Sequence, residues 1–121
     1  MEPQNNSFRV EVRRRDGLAV LDLFGDIDGF ADAALDTAYS QAETHDTPAI
    51  MLNFSQVGYI NSTGIALIVG LLARARKNHR RLVTGGLSEH YREIFNITRL
   101  SDFMTIFDDE ESALQEVAAA A

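Results

Sequence analysis

The chain opens on a strict alternation in which Phe8, Val10 and Val12 are apolar and Arg9, Glu11 and Arg13 between them are charged. That period of two predicts a strand with one wet face. Asp16-Gly17 follows as a hairpin signal, because a tight turn needs positive φ at both central positions. Leu18 to Phe24 is then the second strand, antiparallel to the first. Gly25-Asp26-Ile27-Asp28-Gly29 breaks the pattern as a turn, and Phe30 to Ala42 is alanine-rich with Phe30, Ala34, Leu35 and Ala38 at helical spacing. Beyond Thr47-Pro48, the unbroken apolar run Ala49-Ile50-Met51-Leu52 reads as a strand covered on both faces.

From there the chain is expected to turn through Gln56 to Ile60 and enter a helix at Asn61 that runs to Lys77. A helical wheel places Ile65, Ile68, Val69 and Leu72 toward the sheet, with Thr63, Leu67, Gly70 and Arg74 on the opposite side. Arg81 to Thr84 is a further short strand closed by Gly85-Gly86, and Ser88 to Phe95 a helix with Ser88 as its N-cap. Met104 to Phe107 makes a last strand. Asp108 to Ala121 makes a terminal helix whose first turn carries Asp109, Glu110 and Glu111, the sign the dipole favours there. The order predicts an α/β fold: one mixed sheet of about five strands covered by about four helices, with the opening hairpin at its edge. Val20, Leu23, Ile50, Leu52, Ile65, Ile68, Leu72, Val83 and Ile106 are the expected core.

Composition narrows the function. A chain of 121 residues, 45% hydrophobic and 24% charged, has the size and balance of one domain, taken as residues 1–121. The net charge is -7, and Arg74, Arg76, Lys77, Arg80 and Arg81 gather in one stretch that reads as a solvated helix end, so nucleic acid is not an expected ligand. With no cysteine, disulfides, thiolate metal sites and cysteine nucleophiles are excluded, which fits a cytoplasmic location. The longest apolar run, Gly64 to Ala73, is about half of the roughly 20 residues a membrane span needs, and Met1 to Ser7 lacks the features of a secretory signal, so no membrane insertion is expected. His45, His79 and His90 show no paired spacing, Gly85-Gly86 lacks a phosphate-loop ending, and Asp26-Ile27-Asp28-Gly29 has its glycine too early for a calcium loop. No nucleophile, base and oxyanion donor come together, so neither catalysis, a metal nor a cofactor is expected.

The most informative stretch is Asn61-Ser62-Thr63-Gly64, which puts a hydroxyl at a helix N-terminus. Ser62 or Asn61 can cap the helix by accepting a hydrogen bond from an unpaired backbone N–H. Ser62 can also be a phosphoacceptor, its new charge tolerated by the N–H groups and the dipole. The two roles are compatible. The outward side holding Thr63, Leu67, Gly70 and Arg74 is poor in charge and, with a glycine that permits close approach, forms a candidate docking stripe.

These residues resemble the STAS domains, whose soluble bacterial members are anti-sigma factor antagonists. Gly25-Asp26-Ile27-Asp28 resembles the family's Gly-Glu-Leu-Asp turn, and Asn61-Ser62-Thr63-Gly64 its Asp-Ser-Ser/Thr-Gly phosphorylation motif. Leu82 to Phe107, with Phe95, Thr98 and Leu100, resembles the later strand, helix and "Thr-x-Leu" pattern. The resemblance spans nearly the whole chain and implies partner switching. The unphosphorylated protein would bind a serine-kinase anti-sigma factor, phosphorylation on Ser62 would end the complex, and a phosphatase would restore it. It also implies that Asp26 and Asp28 lie near Ser62, alongside Asn61, Thr63 and Gly64. Asn61 stands where the family usually has aspartate, which removes a charge beside Ser62. That departure keeps a second expectation open: an unphosphorylated STAS module serving a transporter or other assembly.

Overall fold

The computed structural model describes residues 7–43 and 47–120. The polar N-terminus up to Asn6, His45 and the terminal Ala121 lie outside the described residues. One five-stranded sheet runs in the order β1-β2-β3-β4-β5. The strands are β1 (Arg9–Arg15), β2 (Leu18–Ile27), β3 (Ala49–Ile60), β4 (Arg81–Gly85) and β5 (Thr105–Phe107). The first pair is antiparallel and every other pair parallel. The expected hairpin at the sheet edge is present, and Asp16 and Gly17 adopt φ of 49° and 86°. Among the described residues four α-helices complete the fold: α1 (Asp32–Ala42), α2 (Ser62–Lys77), α3 (Glu89–Ile97) and α4 (Glu110–Ala120).

Strand alternation explains why the central strands look apolar throughout. Leu21, Leu23, Ile50, Leu52 and Leu82 face the layer containing Leu35, Tyr39, Ile68, Leu72 and Phe95 from α1, α2 and α3. Leu18, Val20, Ala49, Met51 and Val83 face Ala113 and Val117 of α4. Residues 18–21 of β2, 49–52 of β3 and 82–84 of β4 are therefore buried whichever face they point to. Of the expected core, Ile65 and Ile106 are only half-buried and the other seven are buried.

The strands run further than the apolar pattern. Gln56 to Ile60 is not a turn but the continuation of β3, and Gly25 to Ile27 is the end of β2, with Gly25 paired to Val57 and Ile27 to Ile60. Two register shifts, between Asp22 and Phe24 and between Gly25 and Asp26, each leave one extra residue on β3. These bulges abolish the period of two that would have marked a strand. Phe30 is likewise displaced from its expected place. It lies in a 3-10 turn, Gly29–Ala31, and its side chain is 94% exposed instead of packing at helical spacing.

Candidate functional site

The paired ends of β2 and β3 deliver the chain to α2. Beyond the Ile27–Ile60 pair, the Asn61 N–H donates to the Ile27 carbonyl at 3.2 Å. The Asn61 side chain then turns back to accept from the Gly64 N–H at 2.8 Å, and its backbone carbonyl takes the first helical hydrogen bond, from the Ile65 N–H at 2.9 Å. Asn61 is the N-cap, and Ser62, the first helical residue, is exposed. The alternative that Ser62 caps the helix is thereby settled in favour of Asn61. The N–H groups of Ser62 and Thr63 lie in the first turn, where no intrahelical carbonyl can serve them.

Gly64 is buried because the helix starts directly on β2: a Cβ there would overlap the Ile27 carbonyl. On the other flank, a Cβ on Gly29 would touch the Thr63 methyl at 3.5 Å, which sets the 3-10 turn against the start of α2. Asp28 caps that turn by accepting from the Phe30 N–H at 2.9 Å. The Asp26 carboxylate leans over Gly58 on β3, with its Oδ1 3.1 Å from where a Cβ would stand. Asp26 and Asp28 thus flank Ile27, the residue on which Asn61 and Gly64 rest.

The helix face is rotated from the expected one. Gly64, Ile68, Leu71, Leu72 and Ala75 are buried, while Val69, expected inward, is 43% exposed. Leu67 and Arg74, expected outward, are half-buried. Leu67 packs against the main core. The Arg74 guanidinium lies over the Tyr39 ring at 4.8 Å and bonds to Glu43 at 2.5 Å, Asp36 at 2.9 Å and Ser40 at 2.9 Å. The reason is α1, which lies along that flank and gives the helix a second covered side that a wheel of α2 alone cannot show. Arg80 also binds this corner, through the Glu43 and Thr47 carbonyls, so the basic stretch is not a uniformly solvated helix end. The exposed side of α2 holds Ser62, Thr63, Ala66, Val69, Gly70 and Ala73 and carries no charge until Arg76 and Lys77. Of the expected docking residues, Thr63 and Gly70 remain on it.

Tyr91 is a residue that the sequence pattern did not single out. Its buried phenol oxygen accepts from the Ile60 N–H at 2.8 Å. The available signal was a tyrosine on an otherwise apolar helix face, whose hydroxyl must find a partner when buried. Phe30 and Val69 were missed as surface residues for the reasons given above. Among the described residues no helix is long and apolar enough to cross a membrane.

Fold and site together define a small α/β domain that presents a serine hydroxyl at the head of an uncharged helix face. The profile of the STAS domain matches residues 9–113, and the chain belongs to that family. It is 27% identical over 105 residues to the anti-sigma-B factor antagonist of Staphylococcus aureus (strain NCTC 8325 / PS 47), covering 87% of this chain and 97% of that protein. It superposes on an anti-sigma factor antagonist from Mycobacterium paratuberculosis with a TM-score of 0.81 at 21% identity, over 95% of this chain and 97% of the other. The Bacillus cell fate determinant SpoIIAA in its phosphorylated form gives 0.63 at 25% identity, over 92% and 99%. A sulfate transporter family protein from Wolinella succinogenes gives 0.74 at 17% identity, over 85% and 86%, so the same fold is also used by a member of that transporter family.

Proposed function

We propose that the chain is an anti-sigma factor antagonist whose binding to a serine-kinase anti-sigma factor is switched by phosphorylation of Ser62. The observation that carries this reading is the division of labour at the head of α2: Asn61 does the capping, and the Ser62 hydroxyl stands exposed at the first helical position. A serine that the fold itself does not need is free to react. The likeness to anti-sigma-B factor antagonists, and to SpoIIAA in a phosphorylated form, supports the same assignment. The likeness to the transporter family protein is one of fold, which does not by itself carry function.

In the forward step, the Ser62 Oγ attacks the γ-phosphorus of ATP held by the kinase. An Oγ–P bond forms, the bond from that phosphorus to the bridging oxygen breaks, ADP leaves, and the hydroxyl proton passes to a base on the kinase. A phosphatase reverses the state by directing water onto the phosphorus, which cleaves the Oγ–P bond and releases inorganic phosphate. This chain is ligand and substrate in the cycle, and the catalytic groups belong to its partners.

The docking face is the uncharged side of α2, from Thr63 through Ala66, Val69 and Gly70, with Phe30 beside its head. Small residues there let a partner approach the helix closely, and Phe30 offers an exposed apolar side chain. Asp26 and Asp28 stand at the rim. Phosphorylation adds about -1.5 to -2 charge at neutral pH at the head of this face. In a desolvated contact, one helix terminus cannot compensate that charge, and the complex separates.

The test is incubation with the cognate serine-kinase anti-sigma factor and ATP. One phosphate should appear on Ser62 and the complex should dissociate, while Ser62→Ala should stay bound and unmodified. A phosphate found on Thr63 would overturn the site. No modification and no complex, with co-purification of transporter subunits instead, would replace the reading with that of a structural module.

A further inference from the structure

We propose that Tyr91 is a positioning residue for the Ser62 switch, holding the corner between β3 and α2 so that the hydroxyl is presented in a single geometry. The inference rests on the functional reading above. β4 pairs with β3 only as far as Gly85 opposite Asn53, so among the described residues the later part of β3 has no strand on that side. Along a strand, successive N–H groups point to opposite neighbours. The Asn61 N–H points to β2, where it meets the Ile27 carbonyl, and the Ile60 N–H therefore points to the empty side. There the Tyr91 phenol takes the place of the missing strand, accepting at 2.8 Å, with its own proton directed toward the Ile60 carbonyl at 3.5 Å.

The phenol is itself held firmly. Tyr91 is 8% exposed, its N–H donates to the Ser88 cap at 3.3 Å, and one turn later on α3 Phe95 meets Phe54 of β3 edge-to-face at 5.9 Å. The corner is thus tethered from both sides, by Ile27 and by Tyr91, immediately before Asn61 and Ser62. Without the phenol, a buried N–H loses its partner two residues before the acceptor hydroxyl, and the corner gains alternative positions. A kinase can use only the population in which the hydroxyl is in line with its nucleotide.

Tyr91→Phe removes the hydroxyl and keeps the ring packing. Amide exchange at Ile60 and Asn61, the two hydrogen-bonded amides of the corner, should accelerate on the order of tenfold, with Leu52 in the same strand unchanged. The turnover number for Ser62 phosphorylation by the cognate kinase should fall about tenfold with KM unchanged, because the docking face is intact. Val83→Ala, which opens a cavity on the α4 side of the sheet, is the control for general destabilisation and should keep the wild-type turnover number. Unchanged exchange at Ile60, an unchanged turnover number in Tyr91→Phe, or an equal loss in Val83→Ala each overturns the role of Tyr91 alone. Wild-type protein that its kinase leaves unmodified overturns the functional reading, and this role with it.

Discussion

Gly64 sits on the carbonyl of Ile27 with no room for a Cβ between them. A helical glycine replaced by alanine normally gains about 1 kcal/mol from propensity. Here the added methyl meets backbone, which cannot yield as a flexible side chain can, and overpacking of this kind costs ~1–3 kcal/mol or more. Gly64→Ala should therefore lower the melting temperature. Gly70 lies on the same helix with nothing near its Cβ position, so Gly70→Ala should raise the melting temperature through a stability gain of ~0.5–1 kcal/mol. Thermal melts of the pair decide the matter. A rise for both would mean that α2 does not start on Ile27.

Asn61 and Ser62 separate stability from switching. Asn61→Ala should lose ~1 kcal/mol, the usual worth of an N-cap, while Ser62→Ala should leave the denaturation midpoint nearly unchanged. Phosphate incorporation should show the reverse order, lost in Ser62→Ala and retained in folded Asn61→Ala. Urea melts and intact-mass measurements on both variants would show whether the capping and accepting roles are divided in this way.

What could be read from the sequence was whatever depends on near neighbours. Alternation at Phe8 to Arg13, Asp16-Gly17 at the turn and Ser88 as a cap all act within a few residues, and each is found where the local rule puts it. The start of α2 at Asn61-Ser62 was legible for the same reason. The rest depends on what lies across the fold. The bulges in β3 hide its second half, because the extra residues shift the period where Phe54 gives way to Ser55 and Gln56. The facing of Leu67, Val69 and Arg74 is set by α1, and no wheel of α2 contains α1. Tyr91 acquires its role only where β4 stops short of Ile60, a matter of strand length and register.

Arg74 now has a structural task. Its contacts to Glu43, Asp36 and Ser40 pin the end of α1 to α2, with Glu43 and Arg74 both largely shielded. Arg74→Ala should destabilise the protein by ~1–2 kcal/mol, the range for hydrogen bonds to partly shielded charges. Val69→Ser should stay within about 0.5 kcal/mol of wild type, as a change on an exposed position does. Binding to the anti-sigma factor should respond oppositely, weakened by Val69→Ser and preserved in folded Arg74→Ala. Calorimetric melts paired with a binding titration test both signs.

Acid should loosen the hairpin from α4. Arg13 bonds to Asp22 at 2.5 Å and to Glu110 at 2.6 Å, and Arg15 reaches Glu110 at 2.9 Å. The Arg13 guanidinium holds the Asp22 and Glu110 carboxyls below their ordinary values, with Asn53 assisting at Asp22 and Arg15 at Glu110. A carboxyl depressed in the folded state binds its proton more readily when unfolded. Its stabilisation is therefore complete above the ordinary carboxylate range and is lost as the pH falls below about 4. Melting temperature should drop in that window. Glu110→Gln should flatten the drop and start from a lower plateau at neutral pH. A profile as steep as the wild type's would remove this cluster from the account of acid sensitivity.

Asn61 is the chain's own departure from the aspartate its family usually carries, and its effect should appear only in the phosphorylated state. Aspartate caps a helix about as well as asparagine and adds a charge that the N-terminal dipole favours by ~0.3–1 kcal/mol, so unmodified Asn61→Asp should be as stable as wild type or slightly more so. Once Ser62 carries phosphate, the adjacent carboxylate faces a second anion competing for the same first-turn N–H groups, and the advantage reverses. Phosphorylation should then lower the melting temperature more in Asn61→Asp than in wild type. The second ionisation of a phosphoserine lies near pH 6, so the excess should shrink as the pH is taken below that point and the phosphate loses one charge. Melts of the four species at about pH 7.5 and pH 5.5 would show this. Equal losses on phosphorylation in both proteins would mean that position 61 does not feel the phosphate, and that the neutral residue there is no adaptation to it.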